Sequence, residues 1–193
     1  MIRSQCQRNP LHILVSRIPL IWMLLCATPW PLAVAEQEET MAWTLTSSAF
    51  REGERIPRQY TCEGADDSPP MSWTVPPTGT KSLALVMDDP DAPVGVWVHW
   101  VVYNLPPETR ALSEHVPTET ELADGTLQGL NVFRKIGYGG PSPPPGPAHR
   151  YVFTLYALDT ALTLPARASK TQLEQHMNGH LLGQAQVIGR YQR

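Results

Sequence analysis

Proline restricts this chain more than any other feature: 20 of its 193 residues are proline, against a usual share of about 5%. Each one removes a backbone donor and disrupts a helix interior or a central strand. A bundle of long helices is therefore disfavoured, and short strands joined by long ordered loops are favoured. With 42% apolar and 17% charged residues, the composition suits one globular domain and departs from collagen, coiled-coil and disordered chains.

The first 35 residues differ from the rest. They carry Arg3, Arg8 and Arg17, no acidic residue, an apolar run from Leu20 to Ala27, and then Ala33-Val34-Ala35. These are the parts of a secretory signal peptide, with cleavage expected between Ala35 and Glu36 and a periplasmic or secreted mature chain. Residues 36–42 would be a flexible lead-in and 43–193 the folded domain. An uncleaved anchor is the weaker reading, since a spanning helix needs about 20 apolar residues and Pro19, Pro29 and Pro31 interrupt this run. The mature chain is thus not expected to span a membrane. Initiation at Met41 would instead give a cytoplasmic protein.

Losing three arginines and no acid takes the formal net charge from -3 to -6, and Lys81, Lys135 and Lys170 are the only lysines. Nucleic acid is therefore not expected as a partner, because phosphate-backbone binding rests on clustered Lys and Arg. Cys6 and Cys26 would leave with the leader, and Cys62 alone cannot build a disulfide framework. No Cys-x-x-Cys pair offers structural zinc ligands.

Runs rich in β-branched and aromatic residues, bounded by Pro, Gly, Asp and Asn, predict strands at 43–46, 82–87, 97–105, 151–158 and 185–191. One stretch predicts a helix, from Ser169 to about Leu182: Ser169 and Gln172 have capping-box spacing, and Leu173, Met177 and Leu181 recur every four residues. Thr118 with Glu121 predicts a shorter helical turn. Many strands and one or two peripheral helices imply a mostly antiparallel β-sandwich. The Pro- and Gly-rich stretch from Gly137 to His149 must be a long loop, and such loops are usually functional or disordered.

Polar residues gather around these elements. Asp88, Asp89 and Asp91 follow an apolar strand, in a turn stiffened by Pro90 and Pro93. Strict alternation along 97–104 puts His99 on one face with Val101 and Tyr103, and Val98, Trp100 and Val102 on the other. His149 and Tyr151 are two apart and share a side, and the proline loop leads directly into them. If the two histidine-bearing strands are near one another, His99, His149 and Tyr151 line a small pocket between that loop and the Asp-Pro turn. Each group also has an ordinary reading, as turn chemistry or as a satisfied core histidine.

In these blocks the chain resembles the phosphatidylethanolamine-binding protein family, in its bacterial Raf kinase inhibitor-like branch. The resemblance runs from about Met41 to Arg193. It is carried by Tyr60-Thr61-Cys62-Glu63-Gly64, Ser68-Pro69-Pro70, Asp89-Pro90-Asp91-Ala92-Pro93 and His99-Trp100-Val101-Val102-Tyr103-Asn104. Gly137 to Pro144, His149-Arg150-Tyr151 and the segments around Gly179-His180 and Gly189-Arg190-Tyr191 complete it. It implies a sandwich of two antiparallel sheets with a small preformed pocket for phosphate, phosphorylated head groups or acetate-like ions. The family's pocket residues fall on Asp89, Asp91, His99, Pro143, Pro144, His149 and Tyr151. One departure is Ser142, where the bacterial branch usually has Cys.

A phosphate group needs donors, and imidazole N–H groups of His99 and His149, the Tyr151 hydroxyl and loop amides would supply them. Asp89 or Asp91 is then expected behind a histidine, holding its tautomer and raising its pKa. On this reading the chain is a non-catalytic binding module with no catalytic residue, metal or cofactor assigned. It would take a small anionic ligand, could modulate a partner such as a kinase or protease, and could dimerise as bacterial relatives do. The alternative is a metal-dependent hydrolase using the His and Asp side chains. His176 and His180, four apart on the predicted helix, read as a solvated helix face.

Overall fold

The computed structural model describes residues 43–193; the expected leader, its cleavage point and the lead-in at 36–42 lie outside the described residues. Eight strands form two antiparallel sheets. Strands β1 (Leu45–Ser47), β2 (Met71–Trp73) and β5 (Ala111–Leu112) make a small sheet in the order β1-β2-β5. Strands β3 (Ser82–Asp89), β4 (Trp97–Leu105), β6 (Leu127–Gln128), β7 (His149–Leu158) and β8 (Leu181–Tyr191) make the large one, in the order β6-β4-β3-β7-β8.

The main core lies between the sheets. Leu45, Met71, Trp73 and Leu112 of the small sheet pack with Leu83, Leu85, Met87, Trp100, Val102, Phe153 and Leu155 of the large one. The opposite face of the large sheet buries Ala84, Val86, Val101, Tyr103 and Leu158 under Leu162, Leu164, Ala168, Leu173 and Met177. Strands β3, β4 and β7 are thus covered on both sides, which explains their near-continuous apolar runs. The expected sandwich is observed, and the five predicted strands are present, with β1 beginning two residues later than predicted, β7 two earlier and β8 four earlier; the short strands β2, β5 and β6 were not predicted.

The helix departs from expectation. α1 (Lys170–Met177) starts at the predicted capping box, where the Ser169 hydroxyl and the Gln172 side chain bond reciprocally to backbone N–H groups. It ends at Met177, well short of Leu182. Gly179 has φ +84°, a left-handed conformation that turns the chain into β8, so Leu181 is an exposed strand residue. The predicted turn at Thr118 is not helical; Glu121 instead makes an isolated bridge to Leu127. Among the described residues no helix is long and apolar enough to cross a membrane.

Two irregularities break the alternation of β4. Met87 pairs with Trp100 and Asp88 with Val98, so His99 is an extra residue opposite a continuous β3. A second shift falls between the pairs Leu83–Leu105 and Leu85–Val102. There Asn104 takes φ +57°, and its side chain donates to the Leu162 carbonyl and accepts from the Leu162 N–H, at 2.9 and 2.8 Å. Each bulge swaps the faces of the residues beyond it.

Asn104 is therefore both a tolerated left-handed residue and a clamp on the covering segment. Asn104→Ala is expected to lower stability by about 2–3 kcal/mol, combining two lost hydrogen bonds of about 1 kcal/mol each with a left-handed penalty of about 1 kcal/mol. Asn104→Gly, which keeps the backbone conformation, should lose less. Urea unfolding of the two variants checks the order.

Candidate functional site

The bulge at β4 decides where His99 points. Val98 packs on the helix-covered face, whereas Trp100, two residues on, lies in the inter-sheet core. The expectation that His99 shares a face with Val101 and Tyr103 is thus corrected. As the inserted residue it leaves their face and turns toward β7, its ring 5.2 Å from that of Tyr151 and edge-on to it. A strand of unbroken alternation would have buried it beneath α1 instead.

His99 is pinned to the long loop at two points. Its Nδ1–H donates to the Gly139 carbonyl at 2.6 Å, and the Gly139 N–H donates to the His99 carbonyl at 3.0 Å. The loop is fixed further by bonds from Gly140 N–H to Asp66, Cys62 N–H to the Pro141 carbonyl, and Tyr138 hydroxyl to the Tyr60 carbonyl. Arg193 Nε donates to the Pro143 carbonyl from the chain's last residue. Gly140 is needed for close approach, because a Cβ there would sit 2.5 Å from Asp66 Oδ1 and 2.6 Å from the Tyr60 carbonyl oxygen.

The three carboxylates at the end of β3 separate. Asp89, on the inner face with Leu85 and Met87, accepts the Nδ1–H of His149 on Oδ2 at 2.8 Å, and both side chains are buried. Asp88 faces the other way and pairs with Lys170 Nζ at 2.5 Å. Asp91 accepts from the Arg150 N–H and binds its guanidinium at two points, 2.9 and 2.7 Å. This guanidinium holds the Asp91 carboxyl down at about 2. Asp91 does not line the cavity. The placement expected for it is corrected, since its carboxylate is taken by the neighbouring arginine.

A cavity of ≈ 190 Å³ opens beside these groups. Asp89, His99, Pro143, Pro144, His149 and Tyr151, six of the seven residues expected there, line it together with Ser142. The remaining wall is apolar: Ala92, Pro93, Val94, Trp97 and Phe133, of which Phe133 stands edge-on to both His99 and Trp97. Trp97 belongs to the wall because it pairs with Asp89 across β3 and β4 and so shares its face. Phe133 comes from an irregular stretch without periodicity, and no sequence signal pointed to it.

The polar end has a defined hydrogen-bonding state. A carbonyl and a carboxylate can only accept, so both histidines carry their proton on Nδ1, and Nε2 is the ring nitrogen left for the cavity. The Tyr151 hydroxyl is sealed from water and makes no hydrogen bond of ordinary geometry, with Asp89 and the Ser142 backbone among its polar neighbours; burial and the Asp89 carboxylate raise its pKa above the usual 10, so it stays protonated. Burial pushes the His99 pKa below 6.5, outweighing the opposing effects of the Gly139 carbonyl and of Asp89 and Asp66. The expectation of a raised value therefore does not hold for His99. No lining residue is Lys or Arg. Among the described residues no three His, Cys, Asp or Glu side chains are grouped to hold a metal ion. His176 and His180 do not share a helix face, since the helix ends between them.

A family model described as phosphatidylethanolamine-binding protein matches residues 46–192. The chain belongs to the phosphatidylethanolamine-binding protein family. Among its family relatives, a UPF0098 protein of Methanothermobacter thermautotrophicus is 52% identical over 149 residues, covering 77% of this chain and 98% of that one. A UPF0098 protein of Aquifex aeolicus is 50% identical over 149 residues, covering 76% and 86%. Two family structures share the fold. A homologue from Chlamydia trachomatis has a TM-score of 0.72 at 41% identity, covering 79% of this chain and 98% of its own. YbcL of Escherichia coli, described as a new member of the mammalian family, has 0.73 at 32%, covering 78% and 98%.

The lowered pKa of His99 in this family fold links the site to stability. Below about pH 6.5 the unfolded chain binds a proton at this position before the folded one does, so stability falls as pH drops from 7 toward 5. His99 can contribute a slope of up to about 1.4 kcal/mol per pH unit. Urea unfolding across this range should show a shallower pH slope in His99→Gln than in the parent chain, whatever the variant does to stability at pH 7.

Proposed function

We propose that this chain is a non-catalytic binding module whose cavity recognises a phosphate or a phosphorylated head group. The observation that carries this reading is the cavity wall itself, where His149, backed by the buried Asp89 carboxylate, stands with His99, Tyr151 and the proline loop. His149 becomes a charge-assisted donor when its Nε2 is protonated, with Asp89 balancing the imidazolium. The prolines and loop bonds hold the cavity open, which lowers the ordering cost of binding.

The volume favours a small ligand. At ≈ 190 Å³ the cavity is below the roughly 300–1,000 Å³ of pockets for drug-sized molecules. A phosphate with a short substituent suits it, and a diacyl lipid would leave its chains outside. A metal-dependent hydrolase finds less support, because Asp89 is engaged with His149 Nδ1 rather than aimed at a centre shared by the two histidines. Partner modulation has one observation in its favour: Val94 and Phe133, both exposed, line the cavity, an apolar surface suited to contact with another protein.

Calorimetric titration with phosphoethanolamine tests the proposal. Affinity is expected on the order of micromolar to millimolar and should weaken as pH rises from about 5.5 to 8, because binding requires a proton on imidazole or ligand. His149→Ala and Tyr151→Phe should each reduce affinity about tenfold, the loss of roughly 1.4 kcal/mol. Unchanged affinity in both variants, or no binding to the parent chain across the pH range, would refute the reading.

A further inference from the structure

The two cavity histidines look alike in sequence but differ in what stands behind them. His149 Nδ1–H is bonded to the Asp89 carboxylate, a full negative charge at 2.8 Å. His99 Nδ1–H is bonded to the Gly139 carbonyl, a neutral dipole, at 2.6 Å. An imidazolium at 149 is compensated directly. One at 99 would be a buried charge backed only by a carbonyl, with Asp89 already bonded to His149 and Asp66 bonded to the Gly140 N–H. The ring of His99 is nearly inaccessible to water and packed between Phe133 and Tyr151.

The donors and acceptors facing a ligand are therefore unequal. With its Nδ1–H held by Asp89, His149 turns Nε2 to the cavity with a carboxylate behind the ring, whereas His99 Nε2 presents a lone pair with a carbonyl behind it. The other ionisable group at the cavity is Asp89, which is negative, and no lysine or arginine lines the wall. An oxyanion whose oxygens are all bare would meet His99 lone pair against lone pair. One that keeps a hydroxyl would donate it to His99 Nε2 while its other oxygens face His149.

Resting on the anion-binding reading above, we infer that His99 is a specificity residue: its Nε2 accepts a hydrogen bond from the ligand's own P–OH. The pocket thereby selects phosphate and phosphomonoesters over phosphodiesters and sulfate. A phosphomonoester has a second pKa of about 6 and offers that hydroxyl in its monoanion, whereas a phosphodiester and sulfate have none near neutral pH. A site with an acceptor placed for a ligand hydroxyl discriminates against ligands that lack one, because the buried acceptor is left unpaired. The phosphate of an intact phospholipid, a diester, is a poor ligand on this account, and a free phosphorylated head group a good one.

Calorimetric titration at pH 6 with phosphoethanolamine, glycerophosphoethanolamine and sodium sulfate tests the inference on the folded parent chain. The monoester is expected to bind at least about tenfold more tightly than the diester or sulfate. In the phosphoethanolamine complex, imidazole ¹⁵N shifts should show His99 Nε2 unprotonated and His149 protonated on both nitrogens. His99→Gln, whose amide can donate, should narrow the ratio by improving relative binding of sulfate and diester. Equal affinity for all three ligands, or a doubly protonated His99 in the complex, overturns the selectivity and leaves the anion pocket standing. Failure of all three to bind at any pH overturns both.

Discussion

One extra residue in β4 governs the cavity. Because β3 runs on without a break opposite it, His99 has no partner of its own in the ladder. Its backbone and side chain are both free to bond elsewhere, and both take Gly139. That pair fastens the long proline loop to the large sheet near the start of β4, so bulge, loop and cavity are one construction. A bulge costs ladder bonds, and here a loop recovers them.

From that point the polar groups sort by the pleat of their strands. Asp88 and Asp89 are adjacent in sequence and on opposite faces of the sheet, one tied to α1 and the other to the cavity. Arg150, between His149 and Tyr151, faces away from both and draws Asp91 with it. Period-two geometry thus puts one carboxylate behind one histidine and sends the other two carboxylates to cations outside the cavity. The electrostatics of the site follow: its wall has no permanent positive charge, one buried carboxylate, and two imidazoles whose protons point away from the opening.

The anion-binding reading proposed above therefore has to work with one carboxylate and two imidazoles as the ionisable groups of the wall. The two imidazoles are unequal, because His149 has a carboxylate at Nδ1 and His99 a carbonyl. Burial holds His99 toward its neutral form against the pull of Asp89 and Asp66. Each ring is held by a hydrogen bond within the chain, so its orientation is set before any ligand enters.

The sequence by itself determined the class of fold, the two-sheet β-sandwich, because apolar runs and turn residues act locally and the proline content bars long helices. It also placed His149 and Tyr151 together, since residues two apart on one strand must share a side. It put His99 on the wrong face, because a bulge is defined by the pairing of two strands distant in the chain and leaves no mark in the periodicity of one. The same holds for Asp91, whose choice of Arg150 over the cavity depends on how a turn meets β7, and for Phe133, which reaches the wall from a stretch without regular structure. Which histidine is backed by a charge and which by a carbonyl was decided only by tertiary contacts spanning 60 and 40 residues, and the chemistry of the site rests on that difference.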